Sequence, residues 1–376
     1  MWRGLILALA FCLPAAAEPS TDYEAELGKI HGEIAKLGDV FQGPADLEKV
    51  SKLAFLKYRY ASLTSDFADF AAAEGALDEA IRKVGPSEDL LLLKANFDFK
   101  LHRLGRTKED LEKVPDLADS PQARALRADL DFQEGRYAES RRGYEEALRK
   151  KRTWDNQARL AYLESKTGDV AGAERLYAEA EDEITAKEMR SYAWVELQRG
   201  LLDLDRGRNE EALAHYRRAD RAYSGYWLIE EHIAEVLDRL GRTAEAVKLY
   251  RGIVQRTGNP EFVSALAAIA GRKDPAEAGA LYAEAERLFE AQSLLYPEAA
   301  IGHYLKSLID RPGSSPKLLE MAERNVALRP NAESKLLLAR ACLKLGQPAR
   351  ARALVGEILE TPWRTPELAR FARQVR

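Results

Sequence analysis

Cysteine, histidine and methionine are scarce in this sequence, and no apolar run reaches the roughly 20 residues that span a bilayer. The two cysteines among 376 residues exclude a disulfide scaffold and paired-cysteine metal ribbons. Basic and acidic residues nearly balance, 57 against 61, so no overall field attracts nucleic acid or anionic lipid. The chain is 46% apolar and 31% charged, which is typical of a folded protein.

Motifs of the common catalytic and cofactor sites are also missing. The sequence has no Gly-X-X-X-X-Gly-Lys-Ser/Thr phosphate loop, no Gly-X-Gly-X-X-Gly dinucleotide motif and no His-Glu-X-X-His zinc motif. We therefore predict a protein that is not an enzyme, with no cofactor and no metal site. The alternative is an enzyme or accessory subunit whose polar pocket gathers His215, His232 or His303 with acids from distant parts of the chain.

The first twenty residues have the pattern of a secretory signal. A basic start is followed by an apolar run over residues 5–13 and by small residues that end at Ala17. We predict a signal peptide over residues 1–17, cleavage after Ala17 and a periplasmic or secreted protein. Phe11 precedes Cys12, where a lipoprotein signal has a small residue. The absence of Asn-X-Ser/Thr acceptors favours a bacterial periplasm.

Glycine, tyrosine and alanine recur with a fixed spacing through the middle of the chain. In each copy a small residue is followed after seven residues by glycine, after nine more by tyrosine and after three more by a small or aliphatic residue. The copies are Ala128-Gly135-Tyr144-Ala147, Ala161-Gly168-Tyr177-Ala180, Gly200-Gly207-Tyr216-Ala219 and Ala234-Gly241-Tyr250-Ile253. Successive tyrosines lie 33, 39 and 34 residues apart, which indicates an array of similar structural units.

Each member of the pattern has a structural role in a pair of helices. Glycine ends the first helix in a left-handed conformation, and Asp169, Asn209 and Thr243 are predicted to cap second helices. Small residues let the two helices approach closely, and tyrosine fills the wider gap one turn further on. Because one tyrosine step is 39 residues, we predict an extended second helix around Ile184 to Arg190.

The pattern resembles the tetratricopeptide repeat family, whose unit is an antiparallel helix pair of 34 residues. The resemblance implies an all-α, right-handed solenoid of eight or nine helix pairs over residues 46–362, with the repeated tyrosines between neighbouring hairpins. We predict a lead-in or capping helix over residues 18–45 and a C-terminal capping helix over residues 363–376. Such ends cover the apolar stacking faces of the terminal units.

In that family the first helices of successive units line a concave groove that receives a peptide segment. The groove positions that the resemblance implies here are Asp129, Gln133, Tyr162, Lys166, Trp194, Leu197, Leu201, Glu231, Glu235, Arg239, Arg340 and Lys344. Some members hold a C-terminal carboxylate with Lys and Asn at the fifth and ninth positions of these helices. Those positions are Leu197 and Leu201 in one copy here, so a hydrophobic and basic peptide matches this wall better.

Tyr223, Tyr226 and Trp227 form the densest aromatic stretch of the chain and are a candidate anchor for a partner. The alternative is that they pack between units. We predict a non-catalytic scaffold that binds a protein or peptide partner, does not bind nucleic acid and is not an integral membrane protein. A self-assembling structural protein, in which this stretch or the end units pair two copies, is a further alternative.

Overall fold

The computed structural model describes residues 20–113 and 120–376, which form twenty α-helices and no β-strand. The predicted signal peptide, residues 1–17, and its cleavage site lie outside the described residues. Within them, α1 (Asp22–Leu37) precedes nine antiparallel helix pairs, and α20 (Pro366–Gln374) follows the last pair. No helix of this part of the chain is both long and apolar enough to cross a bilayer.

Each pair consists of a first and a second helix joined by a short turn. The first five pairs are α2 (Leu47–Thr64) with α3 (Phe67–Val84), α4 (Glu88–Lys100) with α5 (Leu104–Glu112), α6 (Pro121–Gln133) with α7 (Tyr137–Lys150), α8 (Trp154–Thr167) with α9 (Val170–Asp182), and α10 (Met189–Leu204) with α11 (Asn209–Ala222). The other four are α12 (Trp227–Arg239) with α13 (Thr243–Thr257), α14 (Pro260–Ala270) with α15 (Pro275–Leu295), α16 (Pro297–Asp310) with α17 (Leu318–Leu328), and α18 (Ala332–Lys344) with α19 (Pro348–Leu359). Neighbouring pairs pack on each other, so the all-α solenoid is confirmed.

The repeated glycines lie within three residues after the ends of first helices, as the pattern predicts. Gly168 has a φ of 93° at the end of α8, and its N–H donates to the carbonyl of Glu164. This conformation is strained for residues that carry a Cβ. The chain can therefore reverse between the helices of a pair without extra residues.

Only one of the three predicted caps forms. Asp169 caps α9, because its Oδ1 accepts a hydrogen bond from the N–H of Gly172 at 2.9 Å. The prediction is wrong for Asn209 and Thr243, which are the first residues of α11 and α13. In both helices an arginine occupies the capping position and makes no capping hydrogen bond with its side chain.

The longest repeat step is taken up by a loop. The predicted extension of the second helix around Ile184 to Arg190 is wrong, because α9 ends at Asp182 and α10 begins at Met189. Thr185 Oγ1 donates to Glu188 Oε2 at 2.8 Å, and the Thr185 carbonyl accepts from the N–H of Glu188 at 2.9 Å. These local bonds turn the chain before α10 starts.

The repeated tyrosines lie inside the array. Tyr177, Tyr216 and Tyr250 are buried among residues of their own pair and of the neighbouring pairs. Gly200 faces one of these rings so closely that a Cβ at its position would lie 2.2 Å from Tyr216 Cε1. The predicted position of the tyrosines between hairpins is confirmed, and the small residues opposite them make room for the rings.

The solenoid winds back on itself, so that distant pairs touch. The turn between α2 and α3 meets the start of α12, where Trp227 Nε1 donates to the carbonyl of Leu63 at 2.9 Å. The turn between α4 and α5 meets the start of α16, where Arg103 lies over the Tyr296 ring at 5.5 Å. The hydroxyl of Tyr296 also donates to Glu74 Oε2 at 2.8 Å.

Similar contacts continue this seam toward the C-terminus. The N–H of Ala332 donates to the hydroxyl of Tyr137 at 2.8 Å. The N–H of Arg364 donates to the carbonyl of Lys166 at 2.8 Å. The contacts join turns within the early pairs to loops that precede first helices five or six pairs later. The array therefore forms a compact superhelix whose later pairs stack on its earlier ones.

Candidate functional site

The candidate site consists of side chains on the first helices α8, α10, α12, α14 and α16, and we call it the inner wall. Its side chains are Tyr162, Lys166, Trp194, Leu201, Glu231, His232, Glu235, Glu261 and His303. The charge of Glu333 on α18 acts on both Lys166 and His303. Helices that are far apart in sequence therefore face the same interior.

On α8 the wall presents a lysine over an aromatic ring. Lys166 Nζ lies 5.1 Å from the centre of the Tyr162 ring and 3.7 Å from Asp205 Oδ2. Burial alone would lower the pKa of Lys166, but Tyr162 and Asp205 raise it overall. The amine therefore stays charged, and its ring contact leaves donors available to an acidic or carbonyl group.

On α10 the wall is apolar. Trp194 is 38% exposed, and its ring centre lies 5.9 Å from that of Trp154. Leu201, about two helical turns further along α10, is half-buried. The predicted groove position of Leu197 is wrong, because this side chain is only 2% exposed and packs in the core with Tyr216.

On α12 the wall is acidic around one histidine. His232 Nδ1 lies 3.1 Å from Glu231 Oε2 and 3.7 Å from Glu235 Oε2. Arg239 donates to Glu235 Oε1 at 2.6 Å, and the Tyr250 hydroxyl donates to Glu231 Oε1 at 3.3 Å. The predicted groove residues Glu231, Glu235 and Arg239 thus meet around a histidine that the repeat positions did not include.

The charged side chains around His232 shift one another's pKa values. Burial alone would raise the pKa of Glu235, but its contact with His232 and the charge of Arg239 lower it to about 2. Burial raises the pKa of Glu231. Burial alone would lower the pKa of His232, yet the two carboxylates raise it.

The acidic region continues onto α14 and α16. Glu261 Oε2 lies 2.7 Å from His303 Nδ1, and its charge also acts on His232. His215 is separate, because its Nδ1 lies 2.6 Å from Glu196 Oε2 within the α10–α11 pair. Two of the three histidines of the alternative pocket therefore share one acidic surface, and the third does not.

One group of side chains in the described residues has the arrangement of metal ligands. Within residues 20–113 and 120–376, only Glu231, His232 and Glu235 bring three ligand atoms within 4.8 Å of one another. The spacing i, i+1 and i+4 on one helix is the signal in the sequence that could have identified them. It was missed because it matches no common zinc motif.

The aromatic stretch is not exposed to a partner. Tyr223 and Trp227 are buried, and Tyr226 packs on Tyr23 of α1 with ring centres 5.3 Å apart. The Tyr223 hydroxyl donates to Glu26 Oε2 at 2.7 Å. The predicted anchor is therefore wrong, since α1 covers it. For the same reason this stretch is not available to pair two copies of the chain.

A cavity lies where α1 and α2 meet the loop before α10. It has a volume of about 680 Å³ and is lined by Phe55, Met189 and Arg59 among others. Phe55 and Met189 are both exposed. No sequence pattern could predict it, because its two sides belong to different turns of the superhelix.

No protein-family profile matches the sequence, and no curated protein matches it. A Rap protein complexed with competence and sporulation factor is 13% identical with a TM-score of 0.52, over 86% of this chain and 99% of that one. The human IFIT1 dimer with PPP-AAAA is 14% identical with a TM-score of 0.47, over 91% and 96%. A tetratricopeptide repeat protein from Parabacteroides merdae is 14% identical with a TM-score of 0.39, over 68% and 98%. The helix pairs, their repeated residues and their stacking show that this chain has a tetratricopeptide-like α-solenoid fold.

Proposed function

We propose that this protein is a non-catalytic binding module that holds a segment of a protein or peptide partner on the inner wall. The observation that carries the proposal is the exposed Trp194 on α10, the first helix that follows α8 with its charged Lys166 and precedes α12 with its carboxylates. Large exposed aromatic residues flanked by charge are typical of binding hot spots. The Rap protein, which is similar in fold, was solved with a bound factor.

The side chains of the inner wall indicate which residue types the partner segment would carry. An apolar side chain would contact Trp194 and Leu201, and basic side chains would face Glu231 and Glu261. The first helices are held by buried packing on both sides. Binding would therefore cost little ordering of the scaffold, and the affinity would come from side-chain contacts spread along the wall.

Site-specific crosslinking tests this proposal. A photoreactive amino acid at position 201 should capture one partner from the native source, whereas the same group at Leu294, 87% exposed on a second helix, should not. A peptide from the captured region should bind the purified protein, and Trp194→Ala should weaken binding by about tenfold or more. The matched control Leu294→Ala should leave the affinity unchanged.

Two outcomes would contradict the binding role. One is equal capture at positions 201 and 294, which would indicate non-specific contact. The other is an unchanged affinity for the captured peptide after Trp194→Ala and Leu201→Ala together. Circular dichroism of each variant controls for loss of the fold.

We also propose that the protein is exported to the periplasm after removal of residues 1–17. The proposal rests on the basic start, the short apolar run and Ala17 before Glu18. The intact mass of C-terminally tagged protein from a Gram-negative host should correspond to a chain that begins at Glu18. A full-length mass in the cytoplasmic fraction would refute export.

A further inference from the structure

We propose that Glu231, His232 and Glu235 form a binding site for a first-row divalent cation such as Zn²⁺. All three residues lie on α12, one of the helices of the inner wall. The site goes beyond the binding of a partner segment, because an ion would bind the isolated protein. It also adds a ligand class that the sequence motifs did not predict.

The three ligand atoms have the spacing of a coordination shell. His232 Nδ1 is 3.1 Å from Glu231 Oε2 and 3.7 Å from Glu235 Oε2, and each of the three residues offers one ligand atom within 4.8 Å of the other two. Zinc binds nitrogen and oxygen at about 2.0–2.2 Å, which separates tetrahedral ligand atoms by about 3.4 Å. A cation would therefore fit among them with little movement and would keep one position open to the interior.

Neighbouring groups orient all three ligands. The Tyr250 hydroxyl holds Glu231 Oε1, and Arg239 holds Glu235 Oε1, so each carboxylate turns its other oxygen toward the imidazole. The Tyr216 ring stacks on His232 with centres 5.4 Å apart and an interplanar angle of 24°. Outer contacts of this kind fix the direction of ligand atoms and strengthen metal binding.

A buried hydroxyl beside the imidazole has no protein partner. Tyr216 is 0% exposed, and its hydroxyl makes no hydrogen bond with another protein group. At the equivalent repeat position, Tyr144 donates to the first-helix carboxylate of Asp129 at 2.7 Å. In the pair of Tyr216 the first-helix position that matches Asp129 is Leu201, so this hydroxyl lacks such an acceptor. A water bound to a cation is the kind of group that satisfies an orphaned buried hydroxyl.

The ligand atoms favour a transition metal over an alkaline-earth ion. One imidazole nitrogen and two carboxylate oxygens suit Zn²⁺ or Mn²⁺, whereas Ca²⁺ and Mg²⁺ prefer oxygen ligands alone. The two carboxylates match the charge of a divalent cation. Zn²⁺ is the probe of choice, and Mg²⁺ is the selectivity control.

Calorimetric titration of Zn²⁺ into untagged protein, dialysed against chelator, tests the site. We expect one Zn²⁺ per chain and no heat with Mg²⁺. His232→Ala and the conservative Glu235→Gln should each weaken Zn²⁺ binding by about tenfold or more. His303→Ala is the matched control, because it removes the other inner-wall histidine paired with a glutamate, and it should leave the affinity unchanged.

A second readout uses the intact wild-type chain. With histidine-labelled protein, Zn²⁺ should shift the ring signals of His232, assigned through His232→Ala, before those of the other histidines. Absence of stoichiometric Zn²⁺ binding overturns the proposal, as does an affinity that is unchanged in both His232→Ala and Glu235→Gln. An equal loss in His303→Ala also overturns it, because the ion would then bind elsewhere. These results are independent of partner capture at position 201.

Discussion

Single side chains decide how closely the two helices of a pair approach. The tyrosine of each repeat fills the space between a pair and its neighbour, and a small residue opposite it prevents a clash. Gly200 is the extreme case, because the ring of Tyr216 occupies the space of its missing Cβ. Protein interiors are packed densely enough that one methyl group matters at such a position.

Two glycine substitutions test this packing. Gly200→Ala should lower the free energy of unfolding by about 1–3 kcal/mol, because its methyl group would overlap the Tyr216 ring. Gly252→Ala is the matched control within α13, where a Cβ meets nothing within 4 Å. It should raise the stability by up to about 1 kcal/mol. Thermal unfolding of both variants measures the contrast, and equal effects would refute the packing argument.

A buried carboxylate joins the two helices of the fifth pair. Glu196 on α10 lies 2.6 Å from His215 Nδ1, and it accepts hydrogen bonds from Arg218 Nε at 2.9 Å and from the Tyr192 hydroxyl at 3.1 Å. Burial alone would raise the pKa of Glu196, but the bonds and charges of His215 and Arg218 lower it to about 2. Burial, together with the charge of Glu196, raises the pKa of the nearby Glu181.

The lowered pKa of Glu196 predicts that the stability of the protein depends on pH. Its pKa is depressed on folding, so its contribution is complete above the unfolded value near 4.5 and is lost as the pH falls toward about 2. We expect Glu196→Gln to lower the melting temperature at pH 7. The free energy of unfolding should fall by up to about 3 kcal/mol. The difference from wild type should shrink between pH 4.5 and pH 2. A difference that stays constant over this range would contradict the ionic role of Glu196.

At the scale of the helices, caps and turns set where each element begins. The sequence predicts the helix pairs correctly because apolar spacing and glycine are local signals. It predicts caps less well, because the capping residue is defined by backbone conformation and not by residue type alone. Asp169 precedes α9 and caps it, whereas Asn209 is already the first residue of α11.

Alanine substitutions distinguish the two positions. Asp169→Ala should destabilise the protein by about 1 kcal/mol, because the N–H of Gly172 loses its acceptor. Asn209→Ala should change the stability by less than about 0.5 kcal/mol, since Asn209 Oδ1 accepts no hydrogen bond. Urea unfolding at neutral pH compares them. A larger loss for Asn209→Ala would show that Asn209 is the true cap of α11.

At the scale of the whole molecule, contacts between superhelical turns define the interior. Tyr296 is central to them, because its ring packs on Phe67 at 5.7 Å and under Arg103, and its hydroxyl bonds Glu74. α1 plays the same role at the other end of the seam by covering Tyr226. These contacts bring first helices from different pairs around one inner wall.

Removal of Tyr296 should open the superhelix without unfolding its pairs. Tyr296→Ala should lower the stability by about 3 kcal/mol and raise the radius of gyration in small-angle X-ray scattering. The helical content should be unchanged, because each pair is held by its sequence neighbours. Tyr282→Ala, a half-buried tyrosine on α15 away from this seam, should leave the radius of gyration unchanged. Equal scattering of both variants would contradict the role of the seam.

The residues of the candidate site could be predicted from the sequence only in part. Tyr162, Lys166, Trp194 and Glu231 could be predicted, because a register carried along the repeat identifies the exposed positions of first helices. Leu197 was placed wrongly because a repeat position does not reveal how much of a side chain its neighbours cover. The pairing of Glu261 with His303 joins α14 and α16, which are separated by the 21 residues of α15, and no local pattern marks it.

The sequence by itself determined the helix pairs of this protein, because their periodicity, glycine turns and tyrosine spacing depend on residues close together along the chain. Only the tertiary structure decided that α1 covers the aromatic stretch and that later pairs stack on earlier ones. It also decided which wall side chains remain open to a partner or an ion. The physical reason is that small rotations between neighbouring pairs accumulate over the array, and their sum fixes contacts between residues hundreds of positions apart.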